Sequence, residues 1–280
     1  MGKNQVDNEA VSKEKKKLVP GNISTSTKDG KASKTFINAA NGSKMVYVPA
    51  GTFYYGSQID DKLTRDNESP QKLIGQTAFY IDIFNVTNDQ YCEFLNNKMP
   101  DKDKLKLWIS LKGGFRSGML RKERCRIRKK MSGTYKVEKG YERHPMTYVS
   151  WFGANEYAKW VGSRLPTEQE WEKAARGVDG RLYPWGDEFN WKLCNSREDG
   201  KRGTTEVGKY PEGKSYYGCY DMAGNVWEWT DSWYDNAKRY KVTRGGSWFF
   251  DHSHCRCADR NGTIPDDWYF NTGFRCARTT

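Results

Sequence analysis

The sequence lacks several features that would place it in common protein classes. It has no run of about 18 consecutive apolar residues, which excludes a transmembrane helix. The polar, lysine-rich N-terminus has no apolar core of a secretory signal. We therefore expect a cytoplasmic protein, or one displayed on a cell or virion surface by a route that the sequence does not show. The sequence contains only three histidines, which argues against a three-histidine metal centre, and it shows no recognisable Ser-His-Asp arrangement.

The seven cysteines form neither a C-x-x-C pair nor a zinc-ligand spacing. Their odd number and the missing secretory signal indicate free thiols in a reducing compartment. Cys255 and Cys257 are the only close pair, and in an extended segment both side chains would point to the same face. We expect the cysteines to be buried, structural thiols.

The net charge of +12 is concentrated in two segments. Residues 1–34 contain eight lysines and four acidic residues, and residues 102–130 contain twelve Lys or Arg against Asp103 and Glu123. A basic surface over the whole domain would indicate a nucleic-acid partner, but here the remainder is close to neutral. The pattern predicts either a solvated tail and insertion or an acidic partner for the second segment.

The composition divides the chain into a tail and one domain. Residues 1–44 have scarcely any large apolar side chains, so we predict a disordered basic tail. Residues 45–280 form the predicted domain, with a basic insertion at 98–133. A domain with so little regular structure needs further contacts to hold its segments together.

Local patterns predict a few regular elements at the start of this domain. Apolar alternation and a Pro-Ala-Gly turn over 45–53 predict a hairpin, and residues 78–84 are typical of a strand. Thr87, Ser150 and Thr167 each precede a segment with helical apolar spacing and predict the N-caps of three helices. Beyond the last helix the chain is rich in Gly and Trp and should be mostly irregular.

Three Trp- and Gly-rich fragments carry the most specific signal. They are Asp-Met-Ala-Gly-Asn-Val-Trp-Glu-Trp at 221–229, Arg-Gly-Gly-Ser-Trp at 244–248 and Gly-Phe-Arg at 273–275. With Arg-Leu-Pro-Thr-Glu at 164–168 and Tyr-Pro-Trp-Gly at 183–186, their order resembles the formylglycine-generating enzyme family, or sulfatase-modifying factor domain. The resemblance covers almost all of the predicted domain. It implies an α+β variant of the C-type lectin fold with short antiparallel sheets and two or three helices.

The resemblance implies a first structural calcium site in the loop 221–228. Calcium prefers carboxylate, amide and carbonyl oxygens from tight loops. The expected ligands are the side chains of Asp221 and Glu228 and the carbonyls of Gly224 and Val226. Ordinary polar turn residues are the alternative interpretation.

A second calcium site is implied slightly earlier in the chain. Its expected ligands are the side chains of Asn195 and Asp199 and the carbonyls of Ser196 and Lys201. This loop is shorter than in some relatives, so ordinary turn residues are again the alternative.

The family's oxidases hold copper(I) between two thiolates, because soft Cu(I) selects sulfur ligands. In this chain the corresponding positions are Phe250 and Cys255. A phenyl ring cannot ligate copper, and Cys257 could replace it only with a different backbone path. A copper-dependent formylglycine-generating oxidoreductase that uses Cys255 is therefore the alternative function.

The C-terminal segment instead predicts a binding surface. Polar and aromatic residues alternate there with residues that look structural, and every member of the first set is reachable from an Asn codon by changing adenines. This resembles the variable proteins of diversity-generating retroelements, which bind ligands through a mutable surface. We predict a non-catalytic domain for an unidentified protein or small molecule; a fixed-ligand accessory domain remains the other binding hypothesis. The predicted contact residues are Phe249, Phe250, Asp251, His252, His254, Asp259, Asp266, Asp267, Tyr269, Phe270 and Asn271.

Overall fold

A computed structural model describes residues 23–28, 31–58, 62–112 and 124–280, with side chains described from residue 35 onward. The first 22 residues of the predicted tail and the middle of the insertion, 113–123, lie outside the described residues.

Four α-helices occur in the described part of the chain. Those that begin after Thr87, Ser150 and Thr167 confirm the predicted caps, because each hydroxyl accepts a hydrogen bond from a first-turn amide. A further helix inside the insertion was not predicted, although Asp101 caps it in the same way. None of the helices in these ranges is long and apolar enough to cross a membrane. The helices are α1 (Asn88–Lys98), α2 (Lys102–Trp108), α3 (Trp151–Trp160) and α4 (Glu168–Arg176).

A five-stranded antiparallel sheet joins the two ends of the described chain. Its strands, in spatial order, are β1 (Ile23–Lys28), β2 (Lys31–Ile37), β3 (Lys44–Val48), β6 (Phe79–Asp82) and β13 (Ala277–Thr279). Regular structure thus begins earlier than the sequence predicted. β2 pairs with β3 and buries Phe36. The polar composition of this segment therefore did not prevent it from forming a strand.

A four-stranded sheet carries the C-terminal half. Its order is β11 (Arg260–Thr263), β10 (Lys241–Arg244), β9 (Trp227–Trp233) and β12 (Thr272–Gly273), with β12 parallel to β9.

Two short ribbons complete the described strands: β4 (Gly51–Tyr55) with β5 (Lys72–Gln76), and β7 (Ile127–Lys129) with β8 (Tyr135–Val137). The predicted hairpin over 45–53 is wrong, because β3 and β4 belong to different sheets. Gly51, with φ of +140°, turns the chain between them. The architecture is α+β with short, mostly antiparallel sheets, as predicted.

The largest core lies between α1, α3 and the C-terminal segment. The rings of Tyr91, Tyr157 and Phe274 lie 5.4–6.1 Å apart in this core. A second core surrounds Trp171 of α4, which lies under β9 and β10. These two cores hold β9 and the segment after β10 in fixed positions, and the candidate site adjoins the first core.

Candidate functional site

A cleft of about 380 Å³ lies where β9, β11 and β12 meet the segment that follows β10. Aromatic side chains dominate its walls, with a few amide and hydroxyl groups between them. The lining residues are Trp227, Phe249, Phe250, Asn261, Gly262, Thr263, Tyr269, Phe270, Asn271 and Thr272. Five of the predicted contact residues therefore converge on one cavity.

Gly245 and Gly246 place the first wall of this cleft. Both have positive φ, +95° and +70°, and they turn the chain out of β10. A Cβ on Gly246 would lie 2.6 Å from the carbonyl oxygen of His254. This close approach fixes residues 247–250 against the 3₁₀ turn His252–Cys255.

Phe249 is the centre of an aromatic cluster. Its ring centroid lies 5.4 Å from those of Phe250 and Phe270, at nearly perpendicular angles, and 5.7 Å from that of Trp248. Aromatic rings packed edge to face limit one another's side-chain rotation. The cleft wall is therefore preorganised.

Asn271 anchors the floor. Its side-chain amide donates to the Ser247 hydroxyl at 3.0 Å, and its carbonyl accepts from the Trp227 amide at 2.8 Å. Both Asn271 and Trp227 are buried, so the floor is formed by the sheet rather than by a mobile loop.

Two of the predicted residues are polar neighbours of the aromatic wall. His252 Nδ1 lies 3.0 Å from a Glu198 carboxylate oxygen, and Asp251 pairs with Arg197 at 3.6 Å. Hydrogen bonds from Ser253 lower the pKa of Asp251. Neither residue lines the cleft, but both are half-exposed beside it.

On the opposite side, Asp266 and Asp267 are also half-exposed and do not line the cleft. The Tyr269 hydroxyl donates to Asp267 at 3.2 Å, which orients the Tyr269 ring.

The sequence pattern predicted that Asp259 lies at the surface, but the structure buries it. Its side chain is 0% exposed, with Arg65 at 3.1 Å and His254 at 3.2 Å from its carboxylate oxygens. His254 in turn lies 4.5 Å, ring to ring, from Phe250. These two predicted contact residues support the wall from behind, and Arg65, far away in sequence, supplies the compensating charge.

The two positions expected to hold copper(I) in an oxidase have different surroundings. Phe250 lines the cleft, whereas Cys255 is fully buried beside Tyr183, Cys194 and Ala223. Contact with the Cys194 thiol, followed by burial, raises the pKa of Cys255 well above its ordinary value.

Cys257 belongs to a different core, around Trp171, and cannot substitute for Phe250 as a second ligand. All seven cysteines are buried free thiols, as predicted. The residues present do not fit a two-thiolate copper site at this cleft.

At the first expected calcium site, the Glu228 carboxylate is already fully engaged. Arg275 donates to both of its oxygens, at 2.6 and 2.7 Å, and the Trp171 indole donates at 2.8 Å. Asp221 accepts from the Gly208 amide at 2.7 Å, and burial raises its pKa to about 6. Gly224 and Val226 follow in the same loop. A calcium ion ligated by Glu228 would have to displace Arg275, so this arrangement does not fit one.

The second expected site has a better donor set. Among the described residues no donor reaches the buried Oδ1 of Asn195. The side-chain nitrogen of the same residue donates to the Gly203 carbonyl at 2.9 Å. The Asp199 carboxylate is only 5% exposed and accepts from Tyr210 at 2.8 Å, with Lys201 Nζ at 3.5 Å. An unpartnered amide oxygen and a buried carboxylate in the same loop are ligand types that suit a hard cation. Calcium would be held by Asn195 and Asp199, together with carbonyls from the same loop.

Five lining residues are absent from the predicted contact set: Trp227, Asn261, Gly262, Thr263 and Thr272. For Trp227 a signal was present, because side chains alternate along a strand. Glu228 points to the Trp171 core, which directs Trp227 of β9 to the opposite face. The other four belong to β11 and β12, strands too short to be recognised from their own sequence.

Sequence comparison finds relatives that align with most of this chain. Residues 31–280 match the family described as "Sulfatase-modifying factor enzyme 1-like domain". The chain is 35% identical to the inactive C-alpha-formylglycine-generating enzyme 2 of Mus musculus, over 85% of this chain and 86% of that protein. It is 32% identical to the formylglycine-generating enzyme of Bos taurus, over 84% and 74%. Against the serine/threonine-protein kinase pkn1 of Chlamydia caviae the identity is 35% over 84% of this chain, which spans 38% of that protein.

Solved structures share the fold. PvdO from Pseudomonas aeruginosa superposes with a TM-score of 0.70 at 23% identity, covering 91% of this chain and all of that one. Treponema denticola variable protein 1 gives 0.59 at 17% identity, covering 92% and 99%. The motifs, the architecture and the matched length agree: the chain belongs to the sulfatase-modifying factor, or formylglycine-generating enzyme, family.

Proposed function

We propose that this protein is a non-catalytic member of its family that binds a protein or small-molecule ligand in the aromatic cleft. The observation that carries the proposal is the position of Phe250. Where an oxidase would need a copper thiolate, a phenyl ring forms part of a preorganised aromatic wall, 5.9 Å from Trp227. Relatives named as active and as inactive enzymes match at similar identity, so the site residues decide.

The size and chemistry of the cleft suit one or two apolar side chains of a ligand. Ligand pockets commonly enclose roughly 300–1,000 Å³, and this one, at about 380 Å³, is near the lower limit. Aromatic walls supply contact area at low entropic cost, while Asn261 and Asn271 offer amide groups for orientation. A short aromatic or aliphatic anchor from a protein partner fits this description.

The surface around the cleft is also suited to sequence variation. Phe249, Phe250 and Tyr269 are half-exposed, whereas the interleaved Arg256 and Phe274 are fully buried. The first group can change without disturbing the second, which is what a diversified display surface requires. The fold shared with a Treponema variable protein supports this part of the proposal.

Diversification is tested in the DNA. The 3′ end of the gene is sequenced across a population of cells, together with the surrounding region. Substitutions confined to adenines, a nearby template repeat and a reverse transcriptase gene are expected. A fixed 3′ end without a template would contradict diversification and leave an invariant binding domain.

Binding is tested with a random peptide library displayed on phage and selected on the immobilised full chain. Recovered peptides should carry an aromatic or aliphatic anchor. Phe250→Ala or Tyr269→Ala should weaken their binding by about tenfold or more, since buried aromatic anchors dominate interfaces. Trp191→Ala, at a 47% exposed tryptophan outside the cleft, serves as the matched control.

Two results would overturn the proposal. One is a set of selected peptides whose affinity is indifferent to both cleft substitutions. The other is oxygen-dependent conversion of a cysteine peptide to formylglycine by the copper(I)-treated protein, which would establish the oxidase alternative.

A further inference from the structure

The insertion is anchored to the domain and is more than a solvated loop. Trp108, Cys125, Ile127, Tyr135 and Val137 are all buried in the largest core. The Asn96 side chain of α1 donates to the Tyr135 carbonyl at 3.0 Å and accepts from its amide at 2.7 Å. The β7–β8 ribbon therefore lies rigidly beside the end of α1.

The outer face of this ribbon concentrates positive charge at an energetic cost. Arg128 of β7 stands directly opposite Lys136 of β8, and like charges in cross-strand register destabilise a ribbon. Glu138 compensates only in part, because it is shared by Arg124 at 3.1 Å, Arg126 at 3.7 Å and Arg128 at 3.5 Å. A surplus of positive charge remains fixed on this face.

Two exposed methionines lie in the segments next to this face, because α1 packs beside β8. The turn between β7 and β8 is closed by a hydrogen bond from the Lys130 amide to the Thr134 carbonyl at 2.7 Å, and it leaves Met131 fully exposed at its tip. Met99, which follows α1, is 53% exposed and has left-handed backbone angles, with φ of 44°. A long apolar side chain in that conformation is unusual, and the described residues leave about half of it exposed.

We propose that this end of the molecule docks on an anionic lipid surface, with the methionines entering the interface and the lysines facing the headgroups. The docking surface is the tip of the ribbon with the residues beside it: Lys98, Met99, Arg128, Lys129, Lys130, Met131 and Lys136. Its chemistry combines the two contributions that hold peripheral proteins on acidic membranes: electrostatic attraction by clustered Lys or Arg, and shallow insertion of apolar side chains.

The same residues favour lipid over nucleic acid. Proteins that bind single strands stack bases on exposed aromatic rings. Among the described residues of the ribbon, the aromatic side chain is that of Tyr135, which is buried, and the Lys129 ammonium lies over its ring at 5.5 Å. Exposed methionine offers no stacking face, but it partitions readily into the acyl boundary.

The test uses the full chain in sedimentation with phosphatidylcholine vesicles, with and without phosphatidylserine. Binding should require phosphatidylserine and weaken as salt is raised. Lys129→Glu with Lys130→Glu should lower the partition coefficient about tenfold or more, since each lysine near an acidic surface accounts for roughly a fivefold change. Met131→Asp should also lower it, whereas Met131→Leu should not.

A matched control separates local docking from general charge. Lys209→Glu with Lys214→Glu makes the same change in net charge at two exposed positions elsewhere and should leave binding nearly unchanged. Since all substituted side chains are exposed, the variants should keep the wild-type circular dichroism spectrum.

Three outcomes would overturn the inference. They are absence of phosphatidylserine-dependent binding, equal losses in the control pair, and indifference to Met131→Asp. Binding of a mixed-sequence RNA or of polyglutamate that depends on Lys129 and Lys130, without vesicle binding, would assign the surface to that other partner instead.

Discussion

Arg275 and Glu228 form a fully buried, two-point ion pair that ties the last motif of the sequence to the first. The guanidinium donates to both carboxylate oxygens, at 2.6 and 2.7 Å, and each side chain is at most 1% exposed. Arg275 also donates to the carbonyls of Asp82 and Tyr220, at 2.9 and 2.7 Å. The pair therefore joins β9, β6 and the C-terminal segment at a point inside the domain.

Arg275→Met should destabilise the protein strongly, because it leaves the Glu228 carboxylate buried without its partner. Breaking a buried pair from one side costs about 3–5 kcal/mol. Arg239→Met, which removes a 69% exposed arginine from its pair with Asp235, should cost less than about 1 kcal/mol. Urea denaturation of both variants measures the difference; similar small losses would show that the buried pair is not a major stabilising contact.

Calcium should raise the melting temperature if the second expected site binds it. A ligand that binds only the native state at a hundred times its Kd adds about 2.7 kcal/mol to the free energy of unfolding. Asn195→Ala and Asp199→Asn should abolish the calcium-dependent part of the shift, whereas Asp235→Asn should leave it. A melting temperature indifferent to chelator would refute calcium binding at this second site.

Asp82 should make stability fall as pH rises. Burial raises its pKa to about 6, against an unfolded value of about 3.9. Its stabilising contribution is therefore fully present below about pH 4 and is lost as pH rises through 6. Asp82→Asn keeps an acceptor for the Cys276 amide and should remove this loss, about 3 kcal/mol between pH 4 and 7. Urea denaturation over a pH series in the presence of chelator measures this loss, with the exposed Asp103→Asn variant as control. If the stability of wild type and of Asp82→Asn changed with pH in the same way, the prediction would be contradicted.

Gly246→Ala should damage the cleft more than its backbone angle alone implies. Gly140, with φ of +88° and open space around its Cβ position, provides the control, for which alanine should cost about 1–2 kcal/mol. At Gly246 the new methyl group also meets the His254 carbonyl, so roughly 2 kcal/mol more is expected. Equal losses in the two variants, measured in urea, would show that the turn before Phe249 tolerates displacement.

The sequence predicted what is local or carried by motifs. The caps at Thr87, Ser150 and Thr167 and the family motifs were sufficient for three helices and the fold class. The predicted hairpin over 45–53 failed because strand partners are chosen across the whole chain: β4 pairs with β5 instead.

The same distinction applies to the site. Alternation placed Phe249, Phe250 and Tyr269 at the cleft, but it also placed Asp259 at the surface. Asp259 is buried because Arg65 reaches it from a distant loop, and no local pattern reports such a partner. Ion pairs between distant segments could therefore not be predicted from the sequence.

The central claim is that the cleft between Trp227 and Tyr269 holds the ligand. Hydrogen exchange of the full chain, with and without a peptide selected on it, locates the bound peptide directly. We predict new protection in residues 227–228, 247–251 and 269–272, with the basic ribbon at 124–139 unchanged. Protection confined to another surface, with those segments exchanging as in the free protein, would contradict the proposed function.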